Sequence, residues 1–191
     1  MSVHANLSAA EALNRLKAGN LQYMSSLTNP GDISPQKRIE TAEHGQHPYA
    51  VILCCSDSRE IPESIFSTGI GELFVIRVAG NVVDDQQLAS VEYAADHLGC
   101  RLVLVMGHNH CGAVGAALEH AAGGHLRSLM DQIQLAIGDE TDEYKACCLN
   151  VSRSVSLLRQ DVELQALPRD EFRVLGAVYH LEDGHVDFME D

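Results

Sequence analysis

Tryptophan is absent from this 191-residue chain, and aromatic residues together make up only 5% of it. The core must therefore be built from Val, Leu, Ile and Ala. Basic residues are also scarce: 13 Lys and Arg stand against 27 Asp and Glu, for a formal net charge of −14. A surface of that sign repels phosphate backbones and excludes nucleic acid as an expected partner. No run of eighteen apolar residues occurs, so no membrane-spanning helix and no membrane partner is expected. The opening Met1-Ser2-Val3-His4-Ala5-Asn6 lacks a basic end followed by an apolar stretch, so no secretion signal is expected and the expected location is cytoplasmic. What remains is 46% apolar and 21% charged, the balance of a globular protein.

Six cysteines occur, at Cys54, Cys55, Cys100, Cys111, Cys147 and Cys148. Two vicinal pairs make a poor disulfide framework, because neighbouring cysteines bridge only through a strained ring. In a reducing compartment such thiols persist as metal ligands, nucleophiles or plain core. At least three of the six are expected to be small buried hydrophobes.

Ser8-Ala9-Ala10-Glu11 fits a capping box, and Leu13, Leu16 and Leu21 recur at roughly helical intervals, which predicts a helix over 9–23. Asn29-Pro30-Gly31-Asp32 is a turn, and Ser34-Pro35 opens a second helix toward Ala42. Three apolar runs without alternation follow: Ala50 to Cys54, Leu73 to Ile76 and Leu102 to Met106. Such runs suit strands covered on both faces. Helical patterns lie over Leu88 to Leu98, closed by Gly99, and over Ala113 to Ala122, closed by Gly123-Gly124. Near the end, Val174 to Leu181, Glu182-Asp183-Gly184 and His185 to Phe188 read as a hairpin. The expected fold is thus α/β: a central, mainly parallel β-sheet with an antiparallel edge, flanked by helices and led by an N-terminal helical arm. One domain spans 1–191, with the arm at 1–45 and the α/β core at 46–191. The arm packs either on its own body or on a second subunit.

The chemistry concentrates at two strand ends, where open parallel sheets bind ligands. Cys54-Cys55-Ser56-Asp57-Ser58-Arg59 follows the first strand. In an extended segment alternate side chains share a face, so Cys55, Asp57 and Arg59 are expected together and Cys54 on the opposite side. Gly107-His108-Asn109-His110-Cys111-Gly112 closes the third strand. Its His-x-x-Cys spacing can place one imidazole and one thiolate on a single ion. Chance gives Cys-x-Asp-x-Arg in about 2% of chains of this composition, and both motifs at strand ends far more rarely. Cys55, His108 and Cys111 make a Cys₂His set suited to Zn²⁺, with a fourth position left open for water as in catalytic sites. His110 is a rival ligand, a proton relay or a solvated bystander, the last two being favoured; His120 and His125 are expected in solvent-facing loops.

These motifs resemble those of the β-class carbonic anhydrases. The likeness runs through Cys55-Ser56-Asp57-Ser58-Arg59, Phe74-Val75-Ile76-Arg77-Val78-Ala79-Gly80-Asn81, Gly107-His108-Asn109-His110-Cys111-Gly112-Ala113 and Gly176-Ala177-Val178-Tyr179. Glu11 to Asn20 is similar to that family's leading helix. The resemblance implies Zn²⁺ as cofactor on Cys55, His108 and Cys111, with Asp57 and Arg59 as a catalytic dyad and Asp57 as the fourth ligand of a closed form. It implies Gln46 as a substrate-binding residue, Phe74 and Tyr93 as aromatics of the substrate pocket, and a homodimer or homotetramer with the site at the subunit interface. Glu60 departs from the pattern, standing where an aliphatic residue is common. Val78 replaces a frequent Asn, and the segment between Leu158 and Val174 is short.

The activity so implied is reversible hydration of CO₂ to bicarbonate and a proton, by attack of zinc-bound hydroxide. Zinc lowers the pKa of its water to about 7. Two other readings fit the same residues: hydrolysis of carbonyl sulfide or carbon disulfide, and a non-catalytic zinc-binding module closed by His110 or Asp57. A metal-free Cys hydrolase fits less well, because a nucleophilic Cys needs a His base and an orienting group rather than a second Cys.

Overall fold

The computed structural model describes residues 7–121, 123–167 and 171–189. In chain order the elements are α1 (Ala9–Ser25), α2 (Pro35–His44), β1 (Ala50–Cys54), α3 (Pro62–Ile65), β2 (Leu73–Arg77), α4 (Asp85–His97), β3 (Leu102–His108), α5 (Gly112–Leu118), α6 (Leu126–Ile137), α7 (Glu143–Gln160), α8 (Val162–Gln165), β4 (Arg173–Tyr179) and β5 (Val186–Met189). A single 3₁₀ turn, Ala79–Asn81, links β2 to α4.

The strands form one sheet in the order β2-β1-β3-β4-β5. The first four are mutually parallel and β5 adds the antiparallel edge. All five residues of β1 and all seven of β3 are buried, as continuous apolar runs require when helices cover both faces. Side chains divide between those faces with the period of two that a pleat imposes. Ala50, Ile52, Cys54, Leu102, Leu104 and Met106 join the core beneath α1. Val51, Leu53, Val103 and Val105 join the core beneath α4 and α7.

Ser8 and Glu11 form the capping box that starts α1. Its buried face is Ala9, Ala12, Leu16 and Asn20, while Leu21 lies largely exposed. The first helix thus packs on its own sheet. Asn20 fastens it there, donating to Gly184 O at 2.8 Å and accepting from Val186 N at 3.1 Å. The second helix buries no residue.

Two expectations are corrected. The helix expected over 113–122 ends at Leu118, because Glu119 caps it and His120 takes a left-handed backbone at φ +53°; Ala122 lies outside the described residues. The hairpin strand stops at Tyr179, since the His180 N–H pairs with His185 O across a loop turned by Gly184 at φ +80°. Two long helices, α6 and α7, had no counterpart in the sequence reading. Within α7 the buried face includes Asn150 and Ser154, which interrupt the apolar stripe. No helix among the described residues is long and apolar enough to cross a membrane.

Candidate metal centre

Parallel strands deliver their carboxyl ends to one edge of the sheet, and three connections converge there. Cys55 is the first residue past β1, His108 the last of β3, and Cys111 the N-cap of α5. The third connection follows β2, where Gly80 turns at φ +67° and donates its N–H to Cys55 Sγ at 3.3 Å. A Cβ at Gly80 would lie 2.8 Å from Ile133 Cδ1, so the turn admits little else.

One donor atom from each of Cys55, His108 and Cys111 lies within 4.8 Å of the other two, and all three residues are buried. The sulfurs are 4.0 Å apart. His108 has no exposed surface, and its Nδ1 lies 2.8 Å from Asn109 O. That contact places the ring proton on Nδ1 and leaves Nε2 as the acceptor, buried and without a partner. Contact with the Cys111 thiol holds Cys55 well below the usual thiol range, and the same contact pushes Cys111 up. A divalent cation between the two sulfurs would take the place of their thiol protons. A buried imidazole nitrogen with no partner beside two soft sulfurs is a donor set that fits Zn²⁺.

Asp57 and Arg59 meet beside this cluster, though not by pleating. The chain turns instead: Arg59 N donates to Asp57 Oδ1 at 2.9 Å, and Glu60 N to Asp57 O at 3.1 Å. Arg59 then grips the carboxylate with Nε on Oδ1 at 2.9 Å and Nη2 on Oδ2 at 2.7 Å. This pair holds the Asp57 carboxyl well below the usual carboxylate range. Asp57 Oδ2 lies 3.8 Å from His108 Nε2.

The two adjacent thiols do lie on opposite sides of the sheet. Cys54 belongs to the core under α1, while Cys55 and Cys111 share a cluster with Val82, Val114, Met130, Ile133 and Cys147. All six cysteines are unpaired, five of them buried. Burial pushes the Cys100 and Cys147 thiols up to about 12.

Other candidates lie apart from the donor set within the subunit. Gln46 is exposed at the opposite end of the sheet, its Cα 3.9 Å from where a Gly71 Cβ would stand. The whole of β1, about 13 Å at ~3.3 Å per residue, separates it from Cys55. Phe74 and Tyr93 approach one another at 6.2 Å between ring centroids, with Phe74 on the core beneath α4 and α7. His110 is exposed and turns toward Glu182 at 3.0 Å and Glu143 at 3.4 Å, outside the three-residue group. His120 and His125 are exposed.

Two residues at the site had no role from sequence. Arg77, the one charge closing apolar β2, donates to the carbonyls of Cys55 at 3.2 Å, Asp57 at 2.6 Å and Glu60 at 2.7 Å. Glu60 is fully buried, and its Oε2 accepts the Cys55 N–H at 2.9 Å. Burial pushes its carboxyl up to about 8. The signal for Arg77 was a charge closing an apolar strand, and for Glu60 its departure from the family pattern.

The chain is similar to known proteins over most of its length. A family model described as carbonic anhydrase matches residues 50–186. Carbonic anhydrase 2 of Mycobacterium tuberculosis is 30% identical, over 94% of this chain and 92% of its own length. The carbonic anhydrase of Mycolicibacterium smegmatis is 31% identical, over 95% and 94%. Among solved structures, the β-carbonic anhydrase CafA of Aspergillus fumigatus superposes with TM-score 0.75 at 26% identity, covering 95% of this chain and 89% of that one. The Coccomyxa β-carbonic anhydrase in complex with acetazolamide gives TM-score 0.71 at 27% identity, covering 97% and 86%.

Proposed function

Since this chain belongs to the β-carbonic anhydrase family, we propose that it catalyses the reversible hydration of CO₂ to bicarbonate and a proton, with Zn²⁺ held by Cys55, His108 and Cys111. The observation that carries this reading is the buried, partnerless Nε2 of His108, set within 4.8 Å of the sulfurs of Cys55 and Cys111. Bound there, zinc would supply an acidified water, and hence a nucleophile for CO₂ at neutral pH.

The protein's own groups do the rest. The Asp57 carboxylate, kept ionised by Arg59, is an acceptor only, so it would accept a hydrogen bond from the attacking oxygen and orient it. Arg59 occupies both carboxylate oxygens, which holds Asp57 back from the position of a fourth ligand. Arg59 also donates to His110 O at 3.2 Å and so ties the dyad to the loop that carries Cys111. The buried side chains of Val82, Val114 and Ile133 keep bulk water from the sulfurs. The net charge of −14 leaves neutral CO₂ unaffected and favours departure of the anion.

Gln46 cannot reach the donor set of its own subunit from the far end of β1. The proposal therefore includes a homodimer in which Gln46 of the partner subunit donates to a substrate oxygen, with Phe74 and Tyr93 at the apolar approach to the site. A tetrameric β-carbonic anhydrase from Sordaria macrospora has the same fold, with TM-score 0.74.

Metal analysis coupled to stopped-flow CO₂ hydration across pH tests the reading. Stoichiometric zinc, turnover that rises as pH passes through about 7, and inhibition by acetazolamide are expected. Full activity in metal-free protein, or turnover on carbonyl sulfide with none on CO₂, would overturn it.

A further inference from the structure

Glu60 has no exposed surface. A carboxyl in that position is costly unless the fold uses it, and an aliphatic side chain would fill the space without the cost. Its Oε1 has no hydrogen-bond partner, so the Cys55 N–H on Oε2 is the bond that gives the carboxyl a purpose.

The surroundings say what that purpose is. Val78 bonds on either side of Cys55, its N–H to Cys54 O at 3.1 Å and its carbonyl to Ser56 N at 3.2 Å, which turns the Cys55 N–H toward β3, where the ladder ends at Cys54 and Met106. The Cys55 N–H therefore has no strand partner and is met by Glu60 instead. On the other side of the same Cα, Cys55 O accepts from Arg77 Nε at 3.2 Å. Arg77 Nη2 holds the carbonyls of Asp57 and Glu60, which fixes the far end of the loop and with it the root of the Glu60 side chain. With both peptide groups flanking Cys55 held, the direction of its Cα–Cβ bond is set, and only one torsion remains to place Sγ.

We infer that Glu60 is a positioning residue for the metal ligand Cys55: its Oε2, by holding the Cys55 N–H, aims Sγ at Cys111 Sγ and His108 Nε2. This rests on the reading of Cys55, His108 and Cys111 as the ligand set. Arg77 completes the clamp from outside the loop, and Glu60 completes it from within.

The test compares Glu60→Gln, Glu60→Leu and Glu60→Asp with the wild type after replacement of the resident metal by Co²⁺. It reads cobalt affinity, the visible ligand-field bands and the thiolate-to-cobalt charge-transfer band. Gln keeps an oxygen at the same reach, so its spectrum matches wild type and its affinity stays within about twofold. Leu lacks the acceptor and Asp is one methylene short; both weaken cobalt binding by about 10–100-fold and shift the bands. Urea unfolding of the metal-free proteins separates this from general damage, because Leu removes a buried carboxyl but leaves the Cys55 N–H unpaired, so its midpoint is expected near that of Gln while its cobalt affinity falls. Wild-type spectra and affinity in both Leu and Asp, or equal losses in Gln and Leu, would overturn the inference while leaving the ligand set standing. Should Leu fail to fold, Gln against Asp decides alone. Wild-type protein that binds cobalt without a thiolate charge-transfer band would overturn both the inference and the ligand reading beneath it.

Discussion

Arg59 and Asp57 face each other through two parallel hydrogen bonds, and the Asp57 oxygen in the shorter one also stands 3.8 Å from the partnerless nitrogen of His108. With a cation in the donor set, the arginine and the cation would compete for one carboxylate. In Arg59→Ala the backbone N–H of residue 59 still holds Oδ1, but Oδ2 is released, and the carboxylate is expected to move onto the fourth position. Turnover is expected to fall at least tenfold with zinc content unchanged. X-ray absorption of the zinc variant should then show one more protein oxygen in place of a solvent one. Normal turnover with an unchanged zinc environment would end the dyad argument.

Removing a ligand has a different signature from removing the dyad. Cys55→Ser replaces one soft sulfur by a hydroxyl that is not ionised at neutral pH. Zinc affinity is expected to drop by on the order of 100-fold or more, and hydration activity with it. Equilibrium dialysis against a zinc buffer provides the check, and a variant that keeps its full complement of metal would remove Cys55 from the ligand set.

The far-end placement of Gln46 makes a prediction that depends on assembly. If each site borrows Gln46 from its neighbour, Gln46→Ala and Cys55→Ser are each poorly active as homodimers. Mixed after reversible unfolding, they form heterodimers with one doubly damaged site and one intact site. Activity above that of either parent is expected, and its absence in verified heterodimers would show that each subunit works with its own residues.

Gly80 carries both a backbone requirement and a packing limit. Its φ of +67° strains any L side chain, and an added Cβ would meet Ile133 Cδ1 at 2.8 Å. Gly80→Ala is expected to cost about 1–3 kcal/mol in urea unfolding of the metal-free protein. Zinc affinity should weaken as well, because the Gly80 N–H donates to Cys55 Sγ. An unchanged unfolding midpoint would show that the turn relaxes freely.

Away from the site, Asp187 links two imidazoles, with His180 Nε2 on Oδ2 and His185 Nε2 on Oδ1, both at 2.9 Å. His180 first, then His185, holds its carboxyl below the ordinary 3.8. A folded pKa below the unfolded one adds stability above the unfolded value, and that stability is lost as pH falls through the folded value. Asp187→Asn should therefore lower the urea midpoint at pH 7 and lower it less at pH 3. The effect is small because the group is half exposed. An equal shift at both pH values would assign the loss to packing.

Much of this was readable along the chain. Local signals are complete within a few residues: the apolar run bounded β1 at Ala50 and Cys54, and Ser8 with Glu11 marked the start of α1. The separation of Cys54 from Cys55 followed from the period of the pleat alone. The helix α7 escaped because Asn150 and Ser154 sit on its buried face, where only distant partners justify them. Asn150 donates to Gly80 O, 70 residues earlier, and Ser154 to Asn81 O, 73 residues earlier.

The amino-acid order by itself determined the alternation of strands and helices, the parallel sheet and the side chains able to ligate a soft cation. Those depend on periodicity and residue chemistry, which act over a turn or a strand. The tertiary structure decided that α1 packs on its own sheet, that Gln46 stands a strand's length from Cys55, and that Glu60 and Arg77 clamp the loop between them. A bond such as Arg77 to Cys55 O spans 22 residues and exists only once β1 and β2 lie side by side. No short-range pattern encodes it, because its energy appears only after the chain has brought the two strands together.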